Sequence, residues 1–405
     1  MSTEAETNAP VSSEQTLPEG ARRYFANPYT AYQQLRTKPV VWDAEFGFWR
    51  ITRYEDVDAI LRDKRFAKNP PPGVTDLRPI KQVDRFSKGI LNLDPPDHTR
   101  IRSLMVKAFN AKRMEAMRPV IESLVARIIE AHRSDHTMEL KADFAHPIPA
   151  TIISDMLGIP VDQRARFSRL SQDIIRFGND LLAADDNAAD HAIREFDEFL
   201  SALVRAKRDS PTDDLTSALI EARDDGGALS EQELIHNVRL LFIAGHETTV
   251  NLICNAVLAL FGNPEQLAYL RNNPDKMPMA VEEFLRFDSS VQQLPRVAQE
   301  DVEMYGETIE AGQMIVLMLG SANHDELSYV NPDQLDVDRT FHRSKSFGGG
   351  AHFCLGAQLA KIETEIAVRK LITELPGLRI TNLDRLSYPP NPFFRGPEAV
   401  QLEWD

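Results

Sequence analysis

Over most of this chain apolar residues recur at three and four positions, the spacing that gives a helix one buried stripe, while strand-like patterns are confined to short segments. Met117, Val120, Ile121, Leu124, Val125, Ile128 and Ile129 follow that spacing closely and predict an amphipathic helix packed on a core. The same pattern predicts helices over residues 54–63, 162–177, 191–209, 264–273 and 355–375. Strands are expected at 40–42 and 47–52, and residues 302–318 predict paired strands that turn near Gly306 and at Ala311-Gly312. The expected class is therefore mainly α with a smaller β region.

One helix stands apart. Ser230 and Glu233 have the spacing of a capping box, and no proline follows until Pro264, so a helix of about 31 residues, ~46 Å long, is predicted. Its residues 238–261 are long enough to cross a bilayer. Near their middle, however, stand His246, Glu247, Thr248 and Thr249, which would be costly in lipid. A buried core helix and no membrane partner follow, and the polar cluster at its centre is the feature that needs a reason.

At 405 residues and 42% hydrophobic content the chain can bury a large core, and no linker, repeat or low-complexity tract divides it, so one domain is expected over 21–405. Residues 1–20 are polar and proline-bearing, which predicts a disordered tail rather than a signal peptide and a cytoplasmic protein. A formal charge of −15 argues against a nucleic-acid partner. With only Cys254 and Cys354 a disulfide framework is excluded, and the question becomes which thiol does chemistry.

Cys354 has the informative surroundings. Three consecutive glycines, Gly348 to Gly350, and a fourth, Gly356, surround this thiol just before a predicted helix. Such glycines let a flat, bulky ligand approach the backbone, and a helix N-terminus favours a thiolate. An inert thiol, or a nucleophile paired with His352 in a thiol hydrolase, are the other readings. Zinc finds no support, because no second cysteine is near and neither CxxC nor HExxH occurs.

The pattern FxxGxxxCxG, met by Phe347, Gly350, Cys354 and Gly356, resembles the haem-binding signature of the cytochrome P450 family. Three further segments in the family's order extend the resemblance over nearly the whole chain after the tail. Ala244 to Thr249, reading AGHETT, is similar to the oxygen-activation segment; Glu283-Phe-Leu-Arg286 is similar to the ExxR pair; and Asp94-Pro-Pro-Asp-His98-Thr-Arg-Ile-Arg102 opens a helix on a proline pair. Glu283 and Arg286, three apart, share a helix face and can pair. His98 and Arg102, four apart, present a donor and a cation together, a match for haem propionates. Thr248 can instead bond back to its own helix, and a carboxylate such as Glu247 in an apolar helix is usually paired or carries protons.

The resemblance implies a single large domain whose long central helix lies over haem b. Cys354 would be the axial iron ligand, and His98, Arg102, Ala244, Gly245, Thr248, Arg296, Phe347, Gly348, His352 and Gly356 would line the cofactor. It assigns Glu247 to proton delivery, Thr248 to holding oxygen, and Glu283, Arg286 and Arg339 to a buried ionic group that folds the cysteine side. His246 is read as structural. The family often has Asn-Arg-Asp where this chain has Asn323-His324-Asp325.

The activity implied is a monooxygenase inserting one oxygen atom from O₂ into an apolar small molecule. No dinucleotide or flavin fingerprint is present, so electrons are expected from a ferredoxin or flavodoxin with an NAD(P)H-dependent reductase. Arg100, Lys107, Lys112, Arg113, Arg343 and Lys345 are the candidate docking patch. Substrate contacts are expected from residues 69–91, Ile243, Ala244, 289–294 and 391–394, and a monomer is expected. A peroxide-driven oxygenase and a haem-based sensor are the alternatives.

Overall fold

The central helix, Glu231–Gly262, organises the computed structural model, which describes residues 18–76, 89–179, 186–224, 229–340 and 343–405. Both halves of its capping box form: the Ser230 hydroxyl accepts from the Glu233 N–H at 3.2 Å, and the Glu233 carboxylate accepts from the Ser230 N–H at 2.7 Å. These bonds satisfy donors that a helix start leaves unpaired. Among the described residues this is the one helix long and apolar enough to cross a membrane, and most of its apolar stretch is buried inside the protein. Around it pack Pro147–Leu157, Asp186–Asp209, Met277–Phe287 and Ala357–Glu374, with Arg118–His132 against the last of these, and their apolar stripes merge into the main core.

The helices expected at 54–63, 162–177, 264–273 and 355–375 are found as Tyr54–Ile60, Arg164–Asn179, Pro264–Asn272 and Ala357–Glu374. Two details differ. The helix expected from residue 191 begins at Asp186, because its first turns are polar and leave no hydrophobic spacing to read. In Arg118–His132, Ile121, Leu124, Val125 and Ile129 are buried whereas Val120 faces solvent.

The β region is small. Strands β1 (Val40–Asp43), β2 (Phe48–Ile51), β3 (Phe66–Ala67), β4 (Thr137–Glu139), β5 (Gln293–Ala298), β6 (Val302–Met304), β7 (Glu307–Ile309), β8 (Met314–Met318), β9 (Arg379–Ile380) and β10 (Gln401–Glu403) form three sheets. The largest has the order β1-β2-β8-β5-β3. Residues 302–318 pair only in part as expected: β6 and β7 form a hairpin over Tyr305-Gly306, but β8 leaves it to run parallel to β2 and antiparallel to β5. The reason is burial on both faces. Ile315 and Leu317 pack with Trp49, Ile51 and Ala298, while Met314, Val316 and Met318 pack with Tyr32 and Phe48, which only an interior strand can satisfy.

The tail expected over 1–20 lies outside the described residues up to position 17, and Glu19 and Gly20 already belong to the helix Glu19–Ala26.

Candidate functional site

The segment from Phe347 to Gly356 is a tight loop held by its own backbone. Gly348 N–H donates to Lys345 O at 2.7 Å, Phe353 N–H to Gly350 O at 3.2 Å and Cys354 N–H to Phe347 O at 3.0 Å. Gly348 and Gly350 stand at φ of +66° and +61°, where a side chain is strained. A Cβ on Gly350 would lie 2.1 Å from Leu61 O, so the loop rests directly on backbone just after the Tyr54–Ile60 helix. By contrast a Cβ on Gly356 would meet nothing within 4 Å.

Cys354 ends the loop, partly accessible, three residues before the helix Ala357–Glu374. Burial pushes its thiol up, and the Gly356 N–H and the Arg102 charge oppose that by favouring thiolate. Cys254 is different: wholly buried in the central helix, its thiol is pushed up to about 12 by burial, which leaves an inert apolar group.

Beside the loop the structure gathers residues far apart in sequence. Arg102, from the helix Asp97–Ala108, donates to Phe353 O at 2.6 Å, and the rings of His98 and His352 sit 4.2 Å apart. Arg296, on β5, is 3% exposed and donates to Pro295 O at 2.8 Å. Burial brings its guanidinium down to about 10, while Asp94 opposes that shift. His352 is held near 2 by burial and then by Lys68, Arg296, His98 and Arg102, and burial also lowers His98. His98 Nε2 is buried without a partner among the described residues. Among those residues, no carboxylate lies within ion-pair distance of Arg102 or Arg296. An unpaired, mostly buried set of cations and imidazoles is costly on its own and fits a ligand carrying carboxylates.

The iron porphyrin implied by the sequence resemblance meets that test: one partly accessible thiol with the Gly356 N–H and the Arg102 charge beside it, and a cation cluster joined to the same loop through Arg102. No group of three His, Cys, Asp or Glu side chains among the described residues gathers to hold a bare metal ion.

Across the same core, where Phe347 and Leu355 of the loop and Leu241 and Ile243 of the central helix all pack, the helix keeps Ala244 exposed and Gly245 and Thr248 partly accessible. Thr248 Oγ1 donates to Ala244 O at 2.8 Å, and Thr249 Oγ1 to Gly245 O at 3.3 Å. A Cβ on Gly245 would find only Ile153 at 3.9 Å, so protein packing does not demand glycine there.

Glu247 turns to Lys141, with Oε1 3.3 Å from Nζ, and Lys141 also donates to Pro397 O at 3.1 Å. His246 is fully buried with neither ring nitrogen bonded among the described residues, packs on His146 at 4.3 Å, and is held near 3 by burial, then His146 and Lys141. It is a neutral packing residue. Lys141, on the π-helical turn Leu140–Ala145, carried no signal in the sequence, since a lone lysine between helices reads as surface charge.

Glu283, Arg286 and Arg339 meet as one buried group. Arg286 donates twice to the Glu283 carboxylate at 2.7 Å, Arg339 Nε donates at 3.1 and 3.2 Å, and Asp336 N–H adds a bond at 3.0 Å. The guanidiniums also hold the carbonyls of Asn323, Val330, Asn331, Pro332 and Gln334. His324, where the family often has arginine, faces Asp333 and the Phe287 carbonyl at 2.8 Å each.

In the candidate docking patch Lys107, Lys112 and Arg343 are exposed, but Arg100 is engaged by Asp97 and Glu233 and Arg113 by Asp213. Lys345 is removed from it, being 5% exposed, paired with Asp58 and lying 4.1 Å over the Tyr54 ring. The substrate segment 289–294 is likewise mostly structural: Ser289 bonds Leu285 O, Ser346 and Asn323, and Gln292 Nε2 donates to Ser289 O. Arg78, Lys81, Arg85 and Lys88 in the segment 69–91 lie outside the described residues.

Sequence and structure comparisons show the family and the fold. A family model described as cytochrome P450 matches residues 23–375. A cytochrome P450 of Bacillus subtilis (strain 168) is 37% identical over 389 residues, covering 94% of either chain. The vitamin D(3) 25-hydroxylase of Pseudonocardia autotrophica is 38% identical over 379 residues, covering 92% of this chain and 93% of its own. Among solved structures, P450BioI in complex with hexadec-9Z-enoic acid ligated acyl carrier protein matches with a TM-score of 0.88 at 32% identity, over 95% of this chain and 100% of that one.

Proposed function

This chain belongs to the cytochrome P450 family, and from that premise we propose that it inserts one oxygen atom of O₂ into an apolar small molecule, with Cys354 as the residue that would hold haem iron. The protein is a cytochrome P450 monooxygenase, and its cofactor is haem b. When bound, haem with a thiolate ligand supplies the electron push that favours cleavage of the O–O bond.

The residues of this chain have separate tasks. Cys354 would hold the iron; the Gly356 N–H and Arg102 oppose the burial that raises its thiol, and the backbone bonds of the loop fix where its sulfur points. His98, Arg102, Arg296 and His352 would bind and orient the haem carboxylates. Ala244 and Gly245 leave the central helix without bulk, and Phe347, Gly348 and Gly356 line the opposite side. Released from Ala244 O, the Thr248 hydroxyl would donate a hydrogen bond toward O₂. Glu247 holds a carboxylate against Lys141; rotated away from that ammonium it would take up a proton from solvent water and pass that proton to the Thr248 side.

Electrons come from a redox partner, which we take to be a ferredoxin or flavodoxin with its reductase, docking where Lys107, Lys112 and Arg343 are exposed. The relatives named for vitamin D(3) and for a fatty acyl chain support an apolar substrate. One domain over 21–405, working as a cytoplasmic monomer, is the simplest organisation.

The observation that carries the reading is the joining of the Cys354 loop, through the 2.6 Å bond of Arg102 to Phe353 O, to a cluster in which neither Arg102 nor Arg296 has an ion-pair partner among the described residues. Its test is the spectrum of the reduced, carbon monoxide-treated protein. The red-shifted Soret band of a thiolate complex is expected from the natural chain and absent from Cys354→Ala; persistence of that band in the variant would overturn the assignment.

A further inference from the structure

Lys68 follows β3 and is 7% exposed, a position where lysine is seldom found unless paired. Its ammonium has no hydrogen-bond or ion-pair partner among the described residues, although its backbone N–H donates to Asp94 Oδ1 at 2.9 Å. It lies within electrostatic reach of Arg296 and His352, and it contributes to the field that lowers His98. Burial and then Arg296 push the ammonium well below its usual range, with Asp94 opposing.

Asp94 does not answer that charge. Its carboxylate is already occupied by the N–H groups of Lys68 and Asn69 and by Asn69 Nδ2, at 2.9 to 3.0 Å, and so clasps the end of β3 to the loop before the Asp97–Ala108 helix. Lys68, Arg102 and Arg296 are three cations, and among the described residues Asp94 is the carboxylate within electrostatic reach of His98, Arg296 and Lys68. Two positive charges are left over. A ligand that brings two carboxylates to this place balances them.

We infer that Lys68 is a third cationic partner for the two haem carboxylates, beside Arg102 and Arg296, and that it helps retain the cofactor and raises its reduction potential. The inference rests on the haem-thiolate reading above. A charge-assisted bond contributes about 1.5–3 kcal/mol, so deleting the ammonium should speed haem loss roughly tenfold or more. Removing positive charge near the iron also disfavours the reduced state, which carries one more electron.

Holoprotein carrying Lys68→Met, Lys68→Arg or Asp94→Asn tests this. In Lys68→Met, haem transfer to excess apomyoglobin should accelerate about tenfold and the reduction potential should become more negative. Lys68→Arg should restore both, and Asp94→Asn, which keeps an acceptor but removes a negative charge, should shift the potential the opposite way. If Lys68→Met keeps the thiolate carbon monoxide band with unchanged haem loss and potential, Lys68 has no such role and the haem-thiolate reading stands. If Lys68→Met and Asp94→Asn shift the potential in the same direction, the effect is structural and the inference fails. If the natural chain itself lacks the thiolate band, the haem-thiolate reading has failed instead.

Discussion

Replacing Glu283 with Gln keeps the shape of a wholly buried side chain while removing the charge that Arg286 and Arg339 share. The carboxylate accepts four guanidinium bonds, between 2.7 and 3.2 Å, and one backbone N–H. Glutamine keeps one acceptor oxygen and turns an N–H₂ toward an arginine, so two mostly buried cations lose their counter-ion. Breaking such a pair from one side costs about 3–5 kcal/mol, against under about 1 kcal/mol for an exposed pair. For a chain of 405 residues, unfolding entropy near ~2 cal/mol/K per residue turns that cost into a fall of about 4–6 °C in thermal midpoint. The five carbonyls held by the guanidiniums lie in the segment leading to the Cys354 loop, so the thiolate carbon monoxide band should fade at temperatures where the natural chain keeps it. Thermal scans of Glu283→Gln beside Glu403→Gln, which disrupts the exposed Arg379 pair, make the comparison. Equal shifts in the two variants would refute the reasoning, because burial is the only reason given for the difference.

Thr248→Ala should leave haem content unchanged while product formed per O₂ falls severalfold and hydrogen peroxide rises, measured by oxygen and peroxide balances; unaltered coupling would remove Thr248 from the oxygen-handling role. Gly350→Ala forces a side chain into a left-handed site 2.1 Å from Leu61 O, and the fraction of protein recovered with thiolate-bound haem should drop sharply; full recovery would mean that the loop can move off its support. Asp214 gives a pH test. Burial raises its carboxyl, but Lys207, Thr212 and the Ser217 N–H together hold it below the ordinary value, so its contribution is present above about pH 4 and disappears as pH falls through the depressed folded value. Stability of Asp214→Asn should therefore be lower than that of the natural chain at neutral pH and fall less steeply below about pH 4; parallel acid limbs would contradict this.

Much was legible in the sequence because it depends on near neighbours. The capping box at Ser230, the apolar spacing of Arg118–His132 and the three-residue step from Glu283 to Arg286 are set by helix geometry alone. The glycines around Cys354 announced a close approach, and four motifs in one order identified the family. Failures came where local spacing has nothing to say. Val120 fits the apolar stripe but faces solvent, and β8 was joined to a hairpin that it leaves.

Tertiary structure alone decided which charges stay in water and which are buried. Lys345 and Lys68 look like any surface lysines in the sequence, yet one is paired with Asp58 and the other is buried within the field of Arg296. Glu247 was legible as an unusual carboxylate, but its partner Lys141 lies on a turn between other elements, and Arg339 reaches Glu283 across 56 positions of chain. The physical cause is the same throughout. Helix spacing and caps act over three or four residues, whereas the cost of burying a charge is set by whatever the rest of the chain brings against it.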